Sequence, residues 1–167
     1  MIVAMTRDTI DALQDDWGEQ RPDLDPEPMG VVLRIQALAK ILGEKAALRL
    51  QEHDLQWWQY DVLSTLRRQG KPYTLAATEL ADSALLTSGA MTNRIDRLQR
   101  DGLVRRLADA EDRRKVLVQL TPRGLERIEG ATDARFEAAL DALAPLDPTQ
   151  RKSLSQLLRR LLAAHED

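Results

Sequence analysis

Cysteine is absent from this chain, which removes disulfides, thiolate metal sites and cysteine-based redox sensing together. Aromatic residues make up only 4%, so a core must be built of Leu, Ala, Val and Ile, as in helix bundles. Histidine is limited to His53 and His165, too far apart to suggest a metal pair. No apolar run approaches the roughly 20 residues of a membrane helix. The opening MIVAMTRD lacks the basic segment and apolar stretch of a signal peptide. A cytoplasmic location with no membrane contact is expected. No glycine-rich phosphate loop, nucleophile elbow or metal-ligand cluster occurs, so neither an enzyme nor a cofactor is expected.

What is present is enough for one domain with a real core: 167 residues, 43% hydrophobic and 31% charged. The net charge of −3 hides an uneven distribution. Residues 1–30 hold eight acids and two bases; residues 94–115 hold eight bases and five acids. An acidic start and a basic later segment fit a nucleic-acid face, although a solvated surface also shows some unevenness.

Hydrophobic spacing predicts a first helix over 5–20, with Ile10, Leu13 and Trp17 on one face. The three prolines of RPDLDPEP (21–28) end it. A long helix follows from Met29 to Leu50, carrying Val32, Ile35, Leu38, Leu42 and Ala46 on one stripe. A third runs from Gln56 to Gln69 and stops at Gly70-Lys71-Pro72. Thr74 to Ser83 reads as a short helix, and Thr87 as the N-cap of the next, 88–100. Gly102 suits a left-handed cap. Leu103–Leu107 and Lys115–Leu120 read as strands, with 108–114 as the hairpin tip. A last helical region, 122–164, is interrupted at Ala144-Pro145-Leu146-Asp147-Pro148, where Asp147 and Pro148 suit the start of a final helix bearing Leu154, Leu157, Leu158, Leu161 and Leu162.

Residues 85–124 are the most informative stretch, because a polar and basic helix followed by a turn and a charged hairpin is the pattern of a winged helix-turn-helix. Such modules place a helix in the major groove of duplex DNA and a hairpin in the flanking minor groove. On a helical wheel Met91, Ile95 and Leu98 form the core face of 88–100. Thr87, Ser88, Thr92, Asn93 and Arg97 are the candidates for base or phosphate contact. Asp112, Arg113 and Arg114 at the hairpin tip are candidates for a narrow minor groove, Asp112 steadying an arginine. The plainer alternative is an exposed helix face and a salt-bridged turn. The apolar terminal helices exceed what a small winged-helix core can cover, which predicts a homodimer reading a pseudo-palindromic site.

The segments TSGAMTNRIDRLQRDGLVRR and DAEDRRKVLVQLTPRG, with helical arms on both sides, resemble the MarR family of transcriptional regulators over nearly the whole chain. The resemblance implies a mainly helical fold with a small β-hairpin wing, N- and C-terminal helical dimerisation arms, and a single domain over 1–167. Within it, 1–52 supplies the N-terminal helices, 53–121 the winged helix-turn-helix and 122–167 the C-terminal dimerisation helices. It implies a dimer, usually a repressor, released from double-stranded DNA by a small anionic aromatic ligand. WGEQRPDLDPEPM and YDVLSTLRRQGKPYTL are similar to the urate-responsive PecS/HucR-like branch, which has an extra N-terminal helix. That branch implies a ligand set of Trp17, Asp61, Arg94 and Arg106, with Arg105 as the alternative to Arg106. On the wheel Arg94 lies at the edge of the buried face, placed to reach beneath the helix, and Asp61 is a candidate partner for it. A phenolic acid such as salicylate is the alternative effector. In that case Trp17 is a packing staple and Asp61–Arg94 a structural ion pair.

Overall fold

The computed structural model describes residues 7–109, 112 and 115–166. Among these lie seven helices and a three-stranded sheet, in two compact units, 1–45 and 46–167.

The first unit contains α1 (Thr9–Gln20) and most of α2 (Glu27–Gln51). Residues 5 and 6, expected to open α1, lie outside the described residues. Asp8 caps α1 with a reciprocal box: its carboxylate accepts from the Ile10 and Asp11 amides, and its own amide donates to Asp11 at 2.6 Å. Pro28 falls in the first turn of α2, where its missing N–H costs nothing. Arg34 on α2 donates to Asp8 at 2.8 Å, Asp11 at 2.6 Å and Gln14 at 3.0 Å. The Arg34 guanidinium holds the Asp8 carboxyl below its ordinary range. Gln14 also donates to the Pro26 carbonyl, and its amide end lies close against Gly30.

The second unit begins with the last turn of α2. It continues through α3 (Trp57–Arg68), β1 (Thr74–Ala76), α4 (Ala77–Ser83), α5 (Ser88–Arg100), β2 (Val104–Ala108), β3 (Val116–Leu120), α6 (Pro122–Ala142) and α7 (Pro148–Ala163). Leu50, Leu55, Leu63, Leu66, Leu80, Met91, Ile95, Leu98, Val118 and Ile128 close one core from helices and sheet. Gly70 (φ 74°) and Gly102 (φ 70°) take the left-handed conformation just beyond α3 and α5, which ends each helix.

The short helix expected over 74–83 is corrected at its start. Thr74–Ala76 is extended and pairs antiparallel with β3, Leu75 opposite Val118, and α4 begins only at Ala77. The wing hairpin is therefore part of a three-stranded sheet of order β1-β3-β2. Its hairpin strands sit one residue later than expected at their N-terminal ends. Thr121 caps α6 from the end of the central strand, and Gly124 lies against the Leu103 carbonyl. Asp147 and Pro148 start α7 as the sequence suggests. No residue of α7 is buried within the chain.

Candidate nucleic-acid interface

Helix α5 is anchored by Met91, Ile95 and Leu98, each almost wholly buried. That orientation exposes Ser88, Thr92, Asn93 and Arg97 on the opposite side. Thr87 is the N-cap, its hydroxyl accepting from the Ala90 amide at 3.3 Å. The Thr92 hydroxyl donates back to the Ser88 carbonyl at 2.9 Å, leaving its oxygen facing outward as an acceptor. Leu85, in the turn before this helix, is 95% exposed with φ 51°, an unusual place for a branched apolar side chain that the sequence pattern did not single out.

Strand alternation separates the two wing arginines. Arg105 donates to Gln119 on β3 at 2.8 Å. Arg106 points the other way, to α5, where its guanidinium meets Asp96 at 2.7 Å and Gln99 at 3.0 Å. At the tip, the Asp112 amide donates to the Asp109 carboxylate at 3.1 Å. Arg113 and Arg114 lie outside the described residues.

The ligand set expected from resemblance is distributed differently from the expected Asp61–Arg94 pairing. Among the described residues Asp61 forms no ion pair. Arg94 is half-buried, as the wheel suggested, but its guanidinium rests 5.8 Å from the ring centre of Trp58 on α3. Arg97 lies over the same ring at 4.9 Å. Trp17, in the first unit, is half exposed and lines a cavity of about 170 Å³ with Leu13, Leu24, Pro26 and Met29. A second aromatic cluster, absent from the sequence-based candidates, joins Trp57 and Tyr60 at 6.2 Å with Arg135 at 5.0 Å from Trp57. The Arg135 Nε is buried and has no hydrogen-bond partner among the described residues.

Comparison with known proteins bears on this arrangement. The MarR family model matches residues 55–116, the segment from α3 to the start of β3. The transcriptional regulator PecS of Dickeya dadantii (strain 3937) is 31% identical over 145 residues, 87% of each chain. The chain belongs to the MarR family. It is thus a DNA-binding transcriptional regulator of the MarR type. The transcriptional repressor YetL of Bacillus subtilis (strain 168) is 41% identical over 66 residues, 40% of each chain. Among solved structures, the MarR-family regulator Sco3205 from Streptomyces coelicolor, in complex with DNA, is 26% identical with a TM-score of 0.72, covering 86% of this chain and 91% of its own. A mutant MarR from E. coli, complexed with operator DNA, is 25% identical with a TM-score of 0.69, covering 83% and 98%. In MarR terms α4 and α5 are the helix-turn-helix and β2–β3 the wing. Among the described residues no group of His, Asp or Glu is disposed to hold a metal. No helix there is long and apolar enough to cross a membrane.

Proposed function

We propose that the chain works as a homodimer, its three segments acting as one domain, that represses transcription from a pseudo-palindromic operator and is released by urate or a related small anionic aromatic compound. The observation that carries the DNA reading is the exposed row of Ser88, Thr92, Asn93 and Arg97 on α5, opposite its buried face and beside the wing. These side chains, with Thr87, are assigned to base edges and phosphates, and Asp112, Arg113 and Arg114 to the minor groove. The DNA complexes of Sco3205 and of mutant MarR support the assignment. The exposed leucine row of α7, from Leu154 to Leu162, supports dimerisation, since one chain leaves it largely uncovered.

Urate is favoured by the similarity to PecS over 87% of the chain and by the presence of Trp17, Asp61, Arg94 and Arg106. Arginine forks suit the oxygens and ring edge of a planar purine anion. In this reading the ligand takes an arginine from its present contact and so biases the position of α5; it acts through its differential affinity for the two forms. A second reading rests on Trp57, Tyr60 and Arg135. A planar phenolic acid such as salicylate would stack there and satisfy the buried Arg135 Nε. Titration calorimetry with urate and salicylate, followed by release from bound duplex, tests both. Urate binding weakened by Trp17→Phe or Arg94→Gln supports the first reading. Salicylate binding lost in Arg135→Gln, with no urate binding, replaces it with the second.

A further inference from the structure

Trp58 sits in the first turn of α3, half-buried and packed on the core. Its indole N–H donates to Gln56 at 2.6 Å, which fixes the rotation of the ring. Arg94 and Arg97 are three residues apart on α5, hence neighbours on one side of that helix. Both guanidinium groups lie within cation–π range of this single ring, at 5.8 and 4.9 Å. Among the described residues neither has a carboxylate partner. Two like charges on long side chains would ordinarily move apart in water. The electron-rich ring attracts both cations and brings no carboxylate to compete with an incoming anion.

We infer that Trp58 is a positioning residue that holds Arg94 and Arg97 as a ready pair for a phosphodiester oxygen of the DNA backbone. The inference rests on the reading of Arg97 as a DNA contact. A phosphate arriving there displaces no carboxylate and meets two side chains already confined, so less ordering remains to be done on binding. The shared ring has a second consequence. An anion that draws Arg94 away changes the platform beneath Arg97, so one side chain of α3 links the arginine assigned to effector with the arginine assigned to DNA. By reciprocity, DNA held at Arg97 must then weaken capture of an anion at Arg94 to the same degree.

The experiment uses the full chain and a duplex that the wild-type protein enriches from a randomised library. Affinity is measured for wild type, Trp58→Phe, Trp58→Leu, Arg97→Gln and the double variant Trp58→Leu/Arg97→Gln. Trp58→Phe, which keeps an aromatic face, should stay within about two-fold of wild type, and Trp58→Leu should bind about five-fold more weakly. Adding Trp58→Leu to Arg97→Gln should cost less than Trp58→Leu costs in the wild type, because Trp58 then has only Arg94 left to hold. Wild-type affinity in Trp58→Leu, or losses that multiply in the double variant, would overturn the inference. Should Trp58→Leu fail to fold, fluorescence of Trp58 in the Trp17→Phe/Trp57→Phe background decides instead. A change on adding duplex supports the platform and an unchanged signal overturns it. A wild-type protein that enriches no duplex removes the regulator reading as well. DNA binding weakened by Trp58→Leu but untouched by Arg97→Gln removes this inference alone.

Discussion

Arg106 uses its guanidinium to tie the wing to α5 through Asp96 and Gln99, and both ends of that tie are substantially exposed. Replacing it with glutamine should therefore lower stability by less than about 1 kcal/mol in urea unfolding. The same change should weaken DNA binding, because the wing loses its fixed angle to the recognition helix. Asp96→Asn should reproduce that loss in a duplex titration. Gly124 presents the opposite case. A Cβ there would stand 1.9 Å from the Leu103 carbonyl oxygen, and neither is a flexible side-chain end. Gly124→Ala should cost about 3 kcal/mol by urea unfolding, whereas Gly30→Ala should cost less, because it meets only the mobile end of Gln14. Asp8 supplies a pH effect. Its carboxyl is held down chiefly by the hydrogen bond from Arg34, so its contribution is present above the ordinary aspartate value near 3.9 and is lost as pH falls through the lower folded value. Asp8→Asn should remove that acid-side step from the emission profile of Trp17 in a Trp57→Phe/Trp58→Phe background.

Helix α5 depends on a cap of ordinary strength. Thr87→Ala leaves the Ala90 amide without its acceptor and should cost about 1 kcal/mol in chemical unfolding. DNA affinity should fall further than that in proportion, since the frayed first turn carries Ser88 and Thr92. This cap, the left-handed Gly102 and the Asp147-Pro148 start were legible because each is a local signal within four residues. Strand β1 was not. Thr74–Ala76 precedes a helix-like run, and its extended form comes from pairing with Val118 and Gln119, more than forty positions away. The same reason hid the contact of Arg94 and Arg97 with Trp58. The wheel placed Arg94 at the edge of the buried face, but which side chain of α3 lies opposite is set by how the two helices pack. The wing register, by contrast, could be narrowed only to Arg105 or Arg106, because alternation needs one fixed partner before it says which arginine faces the helix.

For the whole molecule the uncovered leucines of α7 make the strongest demand. A charge at Leu158 or Leu161 should leave the winged-helix core folded, as neither is buried within the chain. It should convert the proposed dimer to a monomer in sedimentation equilibrium and cut affinity for a two-half-site duplex far more than for a single half-site. Unchanged sedimentation in Leu158→Glu/Leu161→Glu would overturn α7 as the proposed dimer contact. Binding by the intact protein should also weaken steeply with salt, since each phosphate engaged releases counterions. That response should appear despite a net charge of −3, because the basic residues are concentrated in and around α5 and the wing.

The position of β3 at the centre of its sheet, between β1 and β2, bears on how such regulators can be re-engineered. A graft that exchanges the entire hairpin would also replace the strand that Thr74–Ala76 pairs with at the entry to α4. Recipient and donor would have to agree in two ladders at once, not one. The portable unit is therefore the short loop beyond the Ala108–Val116 pair, where new sequence can be installed without rewriting the frame that carries it.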